Sequence, residues 1–365
     1  MSAAGAAALE RLGWSDRLQA LFAAHAAVGL QAGRVVTEQR GRYVLATGQG
    51  ELEAGISGRF RYDASQPEDF PAVGDWVAVA ITPGSLSVIQ AVLPRRSRFA
   101  RPARGETGSA QVVAANIDLV FVVVGLDHDF NLRRLERYMA LTWSSGAEPV
   151  ILLNKSDVCS DVGERVADVR SVAPGVPVYV MSATQGAGIE ALRPLLEAGR
   201  TVALLGSSGV GKSTIVNALL GWERQAVSEV RADDQRGRHT TTARELVATP
   251  SGALLIDSPG MRSVGMWDAE DGLQSAFADV DTFAARCRFS DCSHGSEPGC
   301  AVQAAIGDGT LAAARLASQR KLERELAALE RKRAADRSEQ RRHGRRMTKF
   351  VRNHMRIKYG DDTHN

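Results

Sequence analysis

Nine residues constrain this chain more than any others: Gly206-Ser207-Ser208-Gly209-Val210-Gly211-Lys212-Ser213-Thr214. They fit G-x-x-x-x-G-K-[ST], a loop whose backbone N–H groups cradle phosphates. The flanks agree with that reading. Residues 201–205 form a short, apolar, partly β-branched run that predicts a buried strand, and 213–220 predict a helix closed by Gly221. Glycines let the backbone approach an anion, and the helix N-terminus adds partial positive charge beneath it. Lys212 is then placed to reach the β- and γ-phosphates, and the Ser213 hydroxyl to hold Mg²⁺.

From about Val112 the chain alternates strand and helix patterns, which predicts a mostly parallel sheet covered on both faces. Strands are expected over 117–124, 149–153, 176–181, 201–205 and 253–256, with a helix over 131–144. The motifs follow the strands, at the carboxyl ends where open α/β sheets bind ligands. Asp257 ends the last strand as an acid for the Mg²⁺ shell, and Gly260 can offer a backbone N–H to a γ-phosphate. Asn154-Lys155-Ser156-Asp157 selects the base. A carboxylate at Asp157 accepts from guanine N1–H and the 2-amino group, both absent from adenine. Lys155 can lie along the ring, Asn154 can brace neighbouring loops, and the Ser182-Ala183 backbone can donate to guanine O6. In Gly237-Arg238-His239-Thr240-Thr241-Thr242, either Thr240 or Thr241 can give its hydroxyl to Mg²⁺ in a switch loop that orders with GTP.

Residues 31–97 have a different texture. Five short β-prone runs, at 34–36, 42–47, 55–60, 75–80 and 87–93, predict a small barrel of the OB type. Many such barrels bind RNA or single strands, and Arg34, Arg40, Arg42, Arg59 and Arg61 supply charge either for that contact or simply to a solvated surface. Before the barrel lies an Ala/Leu-rich helical stretch, either packed or loose; after it, five arginines and two prolines within 94–105 read as a linker, either a solvated connector or a strip that contacts an RNA backbone. Cys287-x4-Cys292-x-His294-x5-Cys300 supplies three thiolates and an imidazole, a closed set for one structural Zn²⁺. Residues 308–335 are strongly helical in pattern. Beyond them the charge is concentrated: residues 331–358 hold 12 Lys/Arg and two Asp/Glu, so they carry +10 and the rest of the chain −7 of the overall +3. That basic arm suits nucleic acid or mere solubility. The most apolar run, 119–126, is too short to span a membrane, and the expected compartment is the cytoplasm.

The order of the motifs is unusual, because Asn154 precedes Gly206 by 52 residues. A parallel sheet tolerates such a circular permutation, since strands keep their places while the chain ends move. In the order N-K-S-D, S-A, G-S-S-G-V-G-K-S-T, G-R-H-T-T-T, D-S-P-G, with a barrel before and a Cys/His cluster after, residues 31–305 resemble the RsgA (YjeQ/EngC) family. These are circularly permuted GTPases of small-ribosomal-subunit biogenesis. The resemblance implies GTP hydrolysis stimulated by the small subunit, contact with its rRNA, and a late maturation step linked to release of ribosome-binding factor A. It also implies a structural zinc on the same spacing. It makes His239 the group that orients water, because Met261 stands where Ras-type enzymes carry a glutamine.

The expected fold is multidomain α/β: a circularly permuted P-loop GTPase domain with an N-terminal OB-type barrel and a C-terminal zinc-binding, largely helical module. The expected divisions are an extension over 1–30, the barrel over 31–97, a linker over 98–111 and the GTPase domain over 112–268. The zinc module and its helix follow over 269–335, and the basic tail over 336–365. A monomer is expected.

Overall fold

This computed structural model describes residues 3–39, 41–82, 84–102, 109–221, 244–257, 270–332 and 334–335. His239, Thr240, Thr241, Gly260 and the basic tail over 336–365 lie outside the described residues.

Five strands close the barrel: β1 (Gln31–Gln39), β2 (Arg42–Thr47), β3 (Gly50–Ile56), β4 (Trp76–Ala80) and β5 (Ser87–Val92). Their order is β1-β2-β3-β5-β4, and β4 returns to pair with β1. Alternating inward side chains fill the interior, with Val35, Leu45, Ala54, Val77, Val79 and Ile89 all buried. The third strand lies earlier than the expected 55–60, because Ser57 starts a helix. Its hydroxyl accepts from the Phe60 N–H at 2.9 Å and caps α3 (Gly58–Asp63). Exposed Glu51 and Glu53 hide the outward face of β3 from an apolar pattern.

The N-terminal stretch is packed. α1 (Ala3–Arg11) and α2 (Asp16–Ala27) lay Leu9, Leu18 and Phe22 against Trp76, Ala78 and Leu93 of the barrel. Fully burying a side chain of this size contributes about 1.5–3 kcal/mol. The stretch expected as a linker carries strands instead: β6 (Arg98–Pro102) pairs antiparallel with β7 (Ala110–Ala115). Exposure alternates from Ser97 to Phe99, and the buried Phe99 ring anchors β6 where the arginines suggested solvent. Arg95 is not solvated either. It grips Asp75 through two hydrogen bonds, at 2.7 and 2.8 Å, and donates to the carbonyls of Glu68 and Phe70.

The second unit is the α/β sheet. Its strands are β8 (Leu119–Gly125), β9 (Glu148–Asn154), β10 (Val178–Val180), β11 (Thr201–Leu205), β12 (Arg244–Ala248) and β13 (Leu254–Asp257). They lie in the order β10-β9-β8-β11-β13-β12, parallel except for β12 against β13. Every residue of β8 and β11 is buried, as a parallel sheet covered on both faces requires. Helices α4 (Leu132–Ser145), α5 (Val162–Val172) and α6 (Lys212–Leu220) cover it. The edge strand β12 also pairs with β1, Thr37 opposite Glu245 and Glu38 opposite Arg244, so barrel and sheet form one 11-stranded sheet.

Arg34, expected on the barrel surface, is buried at this joint. It donates to the carbonyls of Leu12, Gly74 and Asn116 and, at 2.7 Å, to the Thr201 hydroxyl. Arg42 and Arg59 do face solvent, near Glu53 and Asp63.

The C-terminal part is helical: α7 (Glu270–Ala276), α8 (Ala278–Ala284), α9 (Ala301–Gly307) and a long helix over 313–332, here α10. α7 lies directly on α4. A Cβ at Gly272 would stand 2.2 Å from the Ala140 carbonyl oxygen, so only glycine allows that approach. Arg315 of α10 bonds Glu136 of α4 and Asp279 of α8 at 2.7 and 2.9 Å. Among the described residues no helix is long and apolar enough to cross a membrane.

Candidate nucleotide site and metal centre

The phosphate loop leaves the buried end of β11 and enters α6. Two of its glycines are obligatory. Gly206 has φ 157° and its missing Cβ would sit 2.5 Å from the Val123 carbonyl oxygen; Gly211 has φ 93°, and a Cβ there would sit 2.2 Å from Asn154 Nδ2. Val210 pins the loop by burying its side chain in the core beneath. Ser208 and Gly209 are exposed at the tip, and Ser207, Ser213 and Thr214 are half-buried. Lys212 Nζ is folded back on its own loop, donating to the carbonyls of Gly206, at 2.7 Å, and Ser207.

The base loop is tied to it by one buried side chain. Asn154 Nδ2 donates to the Val210 carbonyl at 2.8 Å, while Asn154 Oδ1 accepts from the Ala183 N–H at 2.9 Å. Asn154 thus braces three loops, as expected for it. Lys155 adopts a left-handed conformation, and its Nζ lies 2.6 Å from Asp127 Oδ2. Ser156 donates its N–H to the Met181 carbonyl at 3.1 Å, and Asp157 is exposed beside it. The amides expected to donate to guanine O6 are both engaged within the protein. The Ser182 N–H goes to the Ala187 carbonyl at 3.0 Å, and the Ala183 N–H to Asn154.

Asp127 was missed as a site residue, though its place two residues beyond β8 marks it as a strand-end carboxylate. Burial raises its pKa, but the hydrogen bond from Lys155, the Asp129 N–H and the Lys155 charge outweigh this and hold it below the ordinary aspartate value. Asp257 is the last residue of β13, whose strand neighbours β11. The phosphate loop, Asn154 and the end of β13 therefore lie together at the carboxyl end of the parallel strands.

The candidate metal centre is compact. Sulfurs of Cys287, Cys292 and Cys300 and a ring nitrogen of His294 all lie within 4.8 Å of one another. Cys287 Sγ is 3.9 Å from Cys300 Sγ, and His294 Nδ1 is 3.6 Å from each of these sulfurs. A tetrahedron with Zn–S bonds of about 2.3 Å has edges of roughly 3.8 Å, so the donor set fits such an ion. Glu297 supports the turn. It accepts from the Ser293 hydroxyl and from the N–H groups of Ser293 and Gly295, and its pKa is pulled down to about 2, most by the Ser293 hydroxyl. Cys159 is distant in sequence and joins no such cluster among the described residues.

The family model described as RsgA GTPase matches residues 92–267. A protein of Opitutus terrae, named small ribosomal subunit biogenesis GTPase RsgA, is 47% identical over 87% of this chain and 90% of its own length. The chain belongs to the RsgA GTPase family. A second RsgA, from Vibrio parahaemolyticus, is 41% identical over 95% of this chain and 92% of its own. The solved structure of YjeQ from Thermotoga maritima matches with a TM-score of 0.62 at 26% identity, over 82% of this chain and 99% of that one. YloQ, described as a circularly permuted GTPase, shares the fold with a TM-score of 0.59 at 22% identity, over 82% and 96%.

An RsgA chain is a GTP hydrolase, and its nucleotide chemistry implies Mg²⁺ with GTP. The permutation is visible in the strand order. β9 with its base loop precedes β11 in the chain, yet stands on the far side of β8 from it in the sheet.

Proposed function

We propose that this GTPase acts on the small ribosomal subunit late in its maturation, that the subunit and its rRNA stimulate hydrolysis, and that hydrolysis releases ribosome-binding factor A. One observation carries the reading: 47% identity, across 87% of the chain, to a protein named for small-subunit biogenesis. In it Asp157 accepts from guanine N1–H and the 2-amino group, and Lys155 lies along the ring with its ammonium steadied by Asp127. Ser182 and Ala183 flank the O6 edge. The backbone from Gly206 to Thr214 encloses the phosphates, with Lys212, now on the loop carbonyls, donating to the β- and γ-oxygens. Ser213, Asp257 and one of Thr240 or Thr241 hold Mg²⁺, which when bound neutralises charge developing on the phosphates. Gly260 donates its N–H to the γ-phosphate, and His239 orients the attacking water. The four metal ligands carry one structural Zn²⁺, for which three thiolates and an imidazole are a preferred set. The enzyme works as a monomer in the cytoplasm.

Single-turnover GTP hydrolysis with and without purified small subunits tests the reading. Acceleration by subunits is expected, together with loss of ribosome-binding factor A from sedimented subunits after GTP but not after a non-hydrolysable analogue. Equal rates in both conditions contradict it. His239→Ala should bind GTP normally and lower the stimulated rate by about 10²–10⁴-fold.

A further inference from the structure

The turn after β8 and the first turns of α4 reach the phosphate loop through a group that none of the motifs contains. Arg134 Nη1 lies 2.5 Å from Asp129 Oδ1 and 2.5 Å from the Ser207 hydroxyl. Tyr138, one helical turn on, brings its hydroxyl to 3.5 Å from the same Ser207 oxygen. Asn131 caps this helix by accepting the Arg134 N–H at 3.0 Å, which fixes the backbone from which the guanidinium extends. The turn is itself anchored to the base loop. Asp127 accepts from the Asp129 N–H at 3.1 Å through one oxygen and from Lys155 through the other.

We propose that Arg134 is a positioning residue for GTP hydrolysis, acting through Ser207. In the present arrangement Lys212 secures the first two residues of the loop by donating to the carbonyls of Gly206 and Ser207. That ammonium has three donors, but it grips only the backbone of Ser207. The Ser207 side chain is held by Arg134, the charged donor within reach of its hydroxyl. Asp129 keeps the guanidinium aimed, so backbone and side chain of this loop residue are fixed together. A hydroxyl held by a charged donor is bound more firmly than by a neutral one. The inference rests on GTP hydrolysis alone and needs no ribosomal partner.

The test is a double-mutant cycle on basal, single-turnover hydrolysis by the full chain: Arg134→Ala, Ser207→Ala and both together, with Arg134→Lys as the conservative variant. Small misplacements of reacting groups cost up to about 10²-fold in rate, and about tenfold is expected for Arg134→Ala. GTP and GDP affinities should stay within about threefold, placing the loss in kcat rather than KM. Ser207→Ala should behave alike, the double variant should be no slower than the slower single one, and Arg134→Lys should recover most of the rate. An unchanged kcat in Arg134→Ala, additive losses in the double variant, or a fall in nucleotide affinity equal to the fall in rate overturns the proposal. If Arg134→Ala does not fold, the cycle is run with Arg134→Gln and judged by the same outcomes.

Discussion

Two arginines are buried among the described residues, Arg34 and Arg315, and each joins separate parts of the molecule by different chemistry. Arg34 sits between the N-terminal helices, the barrel and the α/β sheet, and it donates only to neutral acceptors: three carbonyls and the Thr201 hydroxyl. Burial dominates its titration and pushes it down to about 10, against the more distant charges of Asp118 and Asp75. It remains a cation at neutral pH. Arg315 sits between α10, α8 and α4, facing the carboxylates of Glu136 and Asp279, and its guanidinium lies 4.3 Å from the centre of the Phe277 ring. Burial opposes its charge too, but hydrogen bonds and charge from Asp279 and Glu136 outweigh it and raise its pKa above the ordinary arginine value. The barrel joint is therefore spread over fixed backbone acceptors, and strand pairing between β1 and β12 reinforces it. The C-terminal joint is built on charge instead: Arg315 pairs with Glu136, each 3% exposed, and with Asp279, while Glu136 also accepts from the Ser318 hydroxyl.

Metal loss should separate the joints most widely. Cys292→Ser should release about one equivalent of metal and loosen 287–300, because closed zinc sites contribute folding energy of several kcal/mol or more. Loosening should extend to α10, since Arg320 donates to the Ser293 carbonyl, while β1 and β12 stay protected from hydrogen exchange. Equal loss of protection at both joints would erase the distinction. Basal GTP hydrolysis should largely survive, as read by single-turnover kinetics.

Arg315→Met comes next. It strands Glu136 as a buried, unpaired carboxylate and should destabilise by about 3–5 kcal/mol in urea unfolding. Adding Glu136→Gln should restore part of this, because the charge is removed with its partner. A double variant as unstable as the single one would mean that packing, not charge, makes this joint.

Arg34→Met should cost less, about 1–3 kcal/mol, because it leaves unsatisfied carbonyls but no uncompensated charge. If it equals or exceeds the Arg315→Met loss, the two joints do not differ in the way their partners indicate.

The smallest effect is set by pH. Asp127 has a folded pKa below its ordinary 3.8, so its contribution is full above that value and is lost as pH falls through the folded pKa. Asp127→Asn should lower stability by about 1 kcal/mol or less at neutral pH. Its unfolding midpoint should converge with the wild type only as pH falls below 3.8 and through the folded pKa. A gap that persists at lower pH would point to packing instead.

What could be read from the sequence was local. The phosphate loop and the Cys/His cluster each act through backbone and side chains of one short segment, so spacing carried their geometry, whereas Asn154 reaches Val210 and Ala183, 56 and 29 residues away. The permuted motif order also lay in plain view, because it is a property of the chain and not of its folding. Strand assignment faltered where charge hid alternation, at β3 behind Glu51 and Glu53 and at β6 among its arginines.

Only the tertiary structure decided what distant residues meet. Arg34 looked like surface charge because nothing near it in sequence offers a partner; Asn116 and Thr201 lie 82 and 167 residues away. Asp127 and Arg134 belong to no motif, and their chemistry appears only when β8 stands beside β9 and β11. The pairing of β1 with β12 joins strands more than 200 residues apart in a register that no local pattern encodes. Local motifs need only the backbone geometry of their own segment, whereas burial and pairing depend on which surfaces the whole chain brings together.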